Sequence, residues 1–373
     1  MNEIRIKGIY GSLYISNNVI EKAIVFDNEN NYYSETDLNV KLNEEGKIIT
    51  KSGKVKVLTQ SVYETIKPDK ISITINKDGI LVANHLNHRV LIDEYDTGFK
   101  TIVDSIEFIE RYLNEDDTFI QRNIELFKTS PKTSRLEIKS GDIFRVPVKN
   151  KMFIYGRVIT PLRESIKEDL PVTGNFDLSD WKVNVFDPNP FFIPLWVDFY
   201  LTKSDSPYLT NKELEKFNTS SSIIIGDFAL RHSNYEIISK TKIDTSGIDV
   251  PMEVDSRYNY KPIFHYLNWG AGIVTLPINS ELEKGITDDK LKNRQNMYSL
   301  RPSKKIEQFV DTSVNNEADF AIVDANRDLR SNRMRQIKLK LFELIGLEER
   351  VDYDVFARKY GFKTKLELIE MNK

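Results

Sequence analysis

The stretch SGDIFRVPVKNKMFIYGRVITP, residues 140–161, constrains the fold of this chain more than any other segment. Ser140-Gly141-Asp142 has the chemistry of a turn, with Gly141 free to take a positive φ. Two strand-like runs follow, separated by the polar break Lys149–Lys151. Alternation places Met152, Ile154 and Gly156 on one side, and Phe153, Tyr155 and Arg157 on the other. Pro147 brings no N–H donor, so its strand is locally an edge or bulged. The pattern predicts a buried antiparallel hairpin, with Gly156 leaving space above the strand.

The rest of the chain extends this reading. Residues 1–98 contain short strand-like runs such as KAIVFD, KISITI, GILVAN and HRVLID, broken by turn signals such as DNENN and KSGK. They predict a small, largely antiparallel domain with one solvated face. Ile102, Ile106, Ile109 and Leu113 then recur at helical spacing, and DDTFIQRNIELFKT predicts a second helix. Pro131 marks a boundary. After the hairpin, WKVNVFD, FFIPLWVDFYL, SSIIIGDFAL and YEIISKTKI are further strand candidates, and 209–218 reads as a short helix. Residues 247–316 show poor periodicity and read as a long irregular excursion packed across the main domain. Residues 334–346 and 352–370 return to helical spacing. The expectation is an α+β, multidomain chain: a strand-rich domain over 1–130 ending in one or two helices, a central antiparallel domain over 135–245, and an extension over 246–373 with terminal helices.

Composition narrows the function. The 373 residues carry 53 Lys and Arg against 56 Asp and Glu, a formal net charge of −3, so there is no general electrostatic footprint for nucleic acid. There is no cysteine, which removes disulfides, thiolate nucleophiles and Cys-based zinc sites. No run approaches the length of a membrane span, and the N-terminus lacks the apolar stretch of a signal peptide. The expected setting is soluble and cytoplasmic, without membrane partners.

No motif for catalysis stands out. His85 and His88 lie three apart in NHLNHR without an HExxH pattern, and read as an ordinary polar turn. No nucleophile elbow, Walker loop or dinucleotide fingerprint is present. Asp142, Asp187, Asp198 and Asp227 sit near strand ends, where turn capping is the commoner role. The expectation is therefore no catalytic residue, no cofactor and no metal. The basic stretch 327–340, with Arg327, Arg330, Arg333, Arg335, Lys338 and Lys340, could grip phosphate or an acidic protein. Its simpler role is a solvated helix face paired with acids. Ala357 and Gly361 have the spacing of a helix-turn-helix turn, but Glu367 occupies the following apolar position.

The central segment resembles the immunity protein 26 family of bacterial polymorphic-toxin systems. Gly141, Asp142 and Phe144 match its Gly-Asp-x-Phe opening, and Tyr155, Gly156, Arg157 and Val158 match the Tyr-Gly-Arg-Val element that follows. Ser222 and Ile223 through Gly226 stand where family members often carry a tryptophan before Ile-Gly. The resemblance implies a non-catalytic protein that binds a toxin or effector and neutralises it sterically, with no active-site residue to carry over. Tyr155, Arg157, Trp196 and Tyr200 are the candidate partner-binding residues, on the condition that they are exposed. The alternatives are a hydrolase or nuclease-like enzyme built on scattered acids and His85/His88, and a nucleic-acid-binding regulatory module using 327–340.

Overall fold

A computed structural model describes residues 2–5, 11–27, 29–63, 65–77, 79–95, 98–130, 138–148, 151–162, 194–259, 261–276, 306–307, 309–311 and 328–373. The WKVNVFD strand candidate, Asp187, Pro131 and Arg327 lie outside these residues, as does most of 277–327. The chain is mixed α+β and divides into two compact units. One comprises Met1–Arg135 together with Arg231–Asn234, the other Leu136–Leu230 with Tyr235–Lys373. Among the described residues no helix is long and apolar enough to cross a membrane.

The first unit is built from β1 (Asn2–Arg5), β2 (Gly11–Ser16), β3 (Val19–Asp27), β4 (Tyr32–Lys41), β5 (Ile48–Ile49), β6 (Val55–Lys56), α1 (Gln60–Tyr63), β7 (Ile71–Asn76), β8 (Gly79–Asn84), β9 (Arg89–Tyr95), α2 (Ile102–Asn114) and α3 (Thr118–Thr129). Seven strands form one antiparallel sheet in the order β1-β2-β3-β4-β7-β8-β9. Its two halves bury opposite faces. Leu13 pairs with Ala23, Ala23 with Thr36 and Thr36 with Ser72, so these four residues share a face. On β2–β4 that face is closed by Leu42, Ile48, Val62 and Tyr63. On β7 and β8 the reverse face, carrying Ile73, Ile75, Ile80 and Val82, is closed by Ile102 and Ile109 of α2 and by Ile120, Ile124 and Phe127 of α3. The helices start where their caps require. Thr101 and Asp104 form a reciprocal capping box, and the Asp117 carboxylate accepts from the Phe119 and Ile120 amides.

The second unit contains β10 (Asp142–Val148), β11 (Met152–Pro161), β12 (Pro194–Ser204), α4 (Asn211–Leu214), β13 (Ile223–Gly226), the start of α5 (Asp227–His232), β14 (Glu236–Lys240), β15 (Met252–Asn259), β16 (Lys261–Trp269), β17 (Gly272–Leu276), α6 (Arg335–Leu344), α7 (Tyr353–Tyr360) and α8 (Lys365–Glu370). One sheet has the order β13-β12-β11-β10-β14 and a second the order β15-β16-β17, both antiparallel. The hairpin of residues 140–161 is β10–β11, at the middle of the larger sheet. Gly141 takes φ +86°, and a Cβ there would stand 2.1 Å from the Thr241 carbonyl oxygen. Pro147 lies past Arg145, the last β10 residue paired with β14, so its missing donor leaves no gap in that ladder.

Both faces of the larger sheet are covered. One face presents Phe144, Ile154, Val158, Val197 and Phe199 to Ile306, Phe309 and Val310. The other presents Ile159 and Trp196 to Val254, Leu267 and Trp269 of the smaller sheet and to Phe342, Tyr353 and Phe356 of the terminal helices. Trp269 stacks on Phe342 at 5.5 Å and meets Phe356 at 4.9 Å between ring centroids. Residues from 139–258 and from the C-terminal region therefore share one core.

Two elements differ from their sequence-based reading. Residues 252–276 form three paired strands rather than an irregular excursion. Because one face of this sheet meets the core, Met252, Val254, Leu267 and Trp269 carry its alternation, but Pro262 and Gly270 interrupt it in the sequence. The SSIIIGDFAL strand ends at Gly226, and Asp227 opens a helix. An acidic first residue favours that helical start.

Candidate functional site

The face of β10–β12 that bears Tyr155 and Arg157 holds the polar groups of the second unit. Strand register brings them together: Arg145 lies opposite Tyr155, and Arg157 lies opposite both Ile143 and Asp198. Alternation then places Arg145, Tyr155, Arg157, Asp198 and Tyr200 on one side.

Arg145 is the most buried charge in this group, with 1% of its side chain exposed. Its Nε donates to Glu236 Oε2 at 3.0 Å, and Nη2 donates to the same oxygen. Nη1 donates to the Pro207 carbonyl. The guanidinium also lies between two rings, 4.6 Å from the Phe153 centroid and 4.4 Å from that of Tyr208. Such a planar, always-charged fork suits a site that combines ion pairing with stacking. Sequence inspection missed Arg145. Its partners lie 62 and 91 residues away, and the available signal was a charged residue inside an otherwise apolar strand.

The segment after β12 crosses this face and is fixed to it. Tyr155 donates its hydroxyl to the Ser206 carbonyl, and burial pushes its phenol up to about 12. The Ser206 hydroxyl donates to the Tyr208 carbonyl at 3.2 Å. Beyond Tyr208, Asn211 accepts from the Ser239 hydroxyl at 2.6 Å and donates to the Lys240 carbonyl at 2.9 Å. The segment thus bridges from β12 to the edge strand β14, and leaves the Tyr208 side 64% exposed.

Arg157 grips Asp198 with Nε at 2.9 Å from Oδ1 and Nη2 at 2.8 Å from Oδ2. Burial raises the Asp198 carboxyl above its ordinary range, against the opposing pull of Arg157. Of the four candidate partner-binding residues, Tyr155, Trp196 and Tyr200 are buried, whereas 24% of the Arg157 side chain reaches solvent. Trp196 belongs to the core and meets Tyr353 at 6.4 Å.

Asp142 and Asp198, two of the four aspartates near strand ends, have structural partners. Asp142 accepts from the Lys139 amide at 2.8 Å, as a turn cap does, and Asp198 holds Arg157. Among the described residues no group of three or more His, Cys, Asp or Glu is placed to hold a metal. Arg330, Arg335, Lys338 and Lys340 of the basic stretch are engaged as well. Arg330 pairs with Asp328 at 2.7 Å and donates to the Ser222 carbonyl at 2.9 Å, Arg335 pairs with Glu349, and Lys340 pairs with Glu343. Lys338 lies over the Phe342 ring. Gly361 ends α7 in the left-handed conformation at φ +77°, as a helix C-cap.

Gly156 is required by its surroundings. A Cβ there would stand 2.5 Å from Phe144 Cζ and 2.8 Å from the Asp198 carbonyl oxygen. Gly156→Ala is expected to destabilise the second unit by about 1–3 kcal/mol through overpacking. A lower urea midpoint at unchanged slope checks this.

Residues 139–258 match the family model of immunity protein 26. The match covers the larger sheet and runs into β15. No curated protein and no solved structure matches the chain.

Proposed function

We propose that the second unit is a binding protein that sequesters a toxin or effector protein and neutralises it by occlusion. The observation that carries this reading is the match of residues 139–258 to an immunity family. The chemistry of the sheet supports it. Arg145, Arg157, Asp198 and Glu236 are spent on one another, and their geometry stiffens a surface. A toxin meets a preformed platform instead of a reactive group.

The contact centres on Tyr208 and the exposed rim of Arg157. Tyrosine and arginine dominate protein interfaces because each offers large area and polar contacts at low ordering cost. Tyr208 is already held by Arg145, so little side-chain freedom remains to be lost on binding. Tyr155 ties this surface to the sheet through the Ser206 carbonyl, while Trp196 and Tyr200 are buried. Tyr208→Ala is expected to weaken partner affinity by tenfold or more while the far-UV spectrum stays native. Wild-type affinity in both Tyr208→Ala and Arg157→Ala, measured by calorimetry, would overturn this placement.

A further inference from the structure

The small hairpin β5–β6 of the first unit ends in an unshared strand edge. Among the described strands, β6 pairs with β5 alone. The turn between them is well closed. The Gly53 amide donates to the Thr50 carbonyl at 2.8 Å, the Thr50 amide donates to the Lys54 carbonyl at 2.9 Å, and Gly53 takes φ +78°. Ile48 is buried in the core of this unit and lies opposite Lys56. The direction of the free backbone groups follows from this bonding. Antiparallel pairs alternate between hydrogen-bonded and non-hydrogen-bonded. Thr50–Lys54 is bonded, so Ile49–Val55 is not, and Lys56 turns its backbone groups inward to Ile48. The N–H and C=O groups of Val55 and Val57 therefore point away from β5. Their side chains are 53% and 61% exposed.

We propose that β6 is a docking edge for a protein strand in which acidic and apolar side chains alternate. Residues 41–57 carry five lysines against two glutamates, in a chain whose formal net charge is −3. Lys47 pairs with Glu45, while Lys51, Lys54 and Lys56 are exposed with no ion pair among the described residues. Along the edge the order is Lys54, Val55, Lys56, Val57. An added antiparallel strand exchanges main-chain hydrogen bonds with Val55 and Val57, and its residues opposite Lys54 and Lys56 fall at the closer cross-strand spacing. Carboxylates fit there, and apolar side chains fit opposite the valines. Main-chain bonds then supply affinity and the alternate side chains supply choice of partner. A second copy of the hairpin does not fit. Any register that matches the outward groups of two copies sets lysine against lysine, which is how edge lysines oppose self-pairing. Nucleic acid and anionic lipid would meet the same charges, but residues 41–59 hold no aromatic side chain to stack on a base or enter a headgroup layer. This inference goes beyond the binding reading of the second unit and does not depend on it.

NMR titration of the full chain with labelled valine methyls tests it. The probe is a short synthetic peptide in which glutamate alternates with valine. Saturable shifts at Val55 and Val57 are expected, weakening as salt is raised. The double variant Lys54→Glu, Lys56→Glu, changed only at exposed side chains, is expected to bind this peptide roughly tenfold more weakly and to prefer the peptide with lysine in place of glutamate. N-methylation of the peptide at its valines removes the main-chain donors and is expected to abolish binding. Absence of shifts up to the solubility limit of the acidic peptide would overturn the proposal. So would equal binding of the N-methylated peptide, which needs charge alone, or an equal response to oligothymidylate or to phosphatidylserine vesicles.

Discussion

Arg145→Ala is expected to destabilise the second unit by about 3–5 kcal/mol. The wild-type guanidinium is desolvated, and the cost of its burial is offset by Glu236, the Pro207 carbonyl and the rings of Phe153 and Tyr208. Truncation removes all four at once and strands the Glu236 carboxylate, with 15% of its side chain exposed, in a place built for a cation. It also cuts the tie between β10 and the 204–210 segment, so Tyr208 loses its support. Urea unfolding reads the first effect, and protease sensitivity of 204–210 under native conditions reads the second. Arg145→Met combined with Glu236→Leu separates charge from packing. It removes both members of the pair, and is expected to recover much of the loss. Recovery of stability without recovery of order at 204–210 would show that the Pro207 contact, and not the ion pair, fixes the platform.

Truncating the chain after Tyr258 is expected to unfold residues 139–258, although the matched family region is retained in full. The truncation removes Leu267, Trp269, Phe342, Tyr353, Phe356, Leu368 and Ile369, against which Ile159, Leu162, Trp196, Val250, Met252 and Val254 are buried. Each large apolar side chain lost from a core costs about 2–5 kcal/mol. A few of them exhaust the roughly 5–15 kcal/mol that holds a domain folded. The polar seams fail too. Arg330 is lost from the Ser222 and Asp249 carbonyls, and Leu368 and Asn372 are lost from Thr160. Limited proteolysis followed by mass mapping checks this, with rapid cleavage across 139–258 as the expected result. A protease-resistant central sheet in the truncated chain would mean that the C-terminal residues decorate the core instead of completing it.

Local signals carried much of the fold. The hairpin of residues 140–161 was legible because turn chemistry, alternation and a polar break agreed over 22 consecutive residues. The α2 helix was legible because Ile102, Ile106, Ile109 and Leu113 recur at helical spacing, whereas its Thr101–Asp104 cap emerged only from the structure. What escaped was non-local. Strands β15–β17 are held by pairing with one another and by packing on residues far later in the chain, and the alternation that packing leaves is broken by Pro262 and Gly270. Arg145 escaped notice because its partners Glu236 and Pro207 are distant in sequence. The importance of Arg157 was readable, but its exposure was not, since Asp198 comes from a neighbouring strand 41 residues later.

The central claim is neutralisation by occupancy, and titration of the cognate toxin tests it most directly. A fixed amount of toxin is mixed with increasing amounts of the full chain, residual toxin activity is followed, and the toxin is recovered under denaturing conditions for intact-mass analysis. The account predicts a linear loss of activity that ends at a stoichiometric ratio, a stable complex on size exclusion, and toxin of unchanged mass that regains activity after separation. Complete inactivation by a small fraction of an equivalent, or a toxin of altered mass, would contradict it and identify the chain as a catalyst.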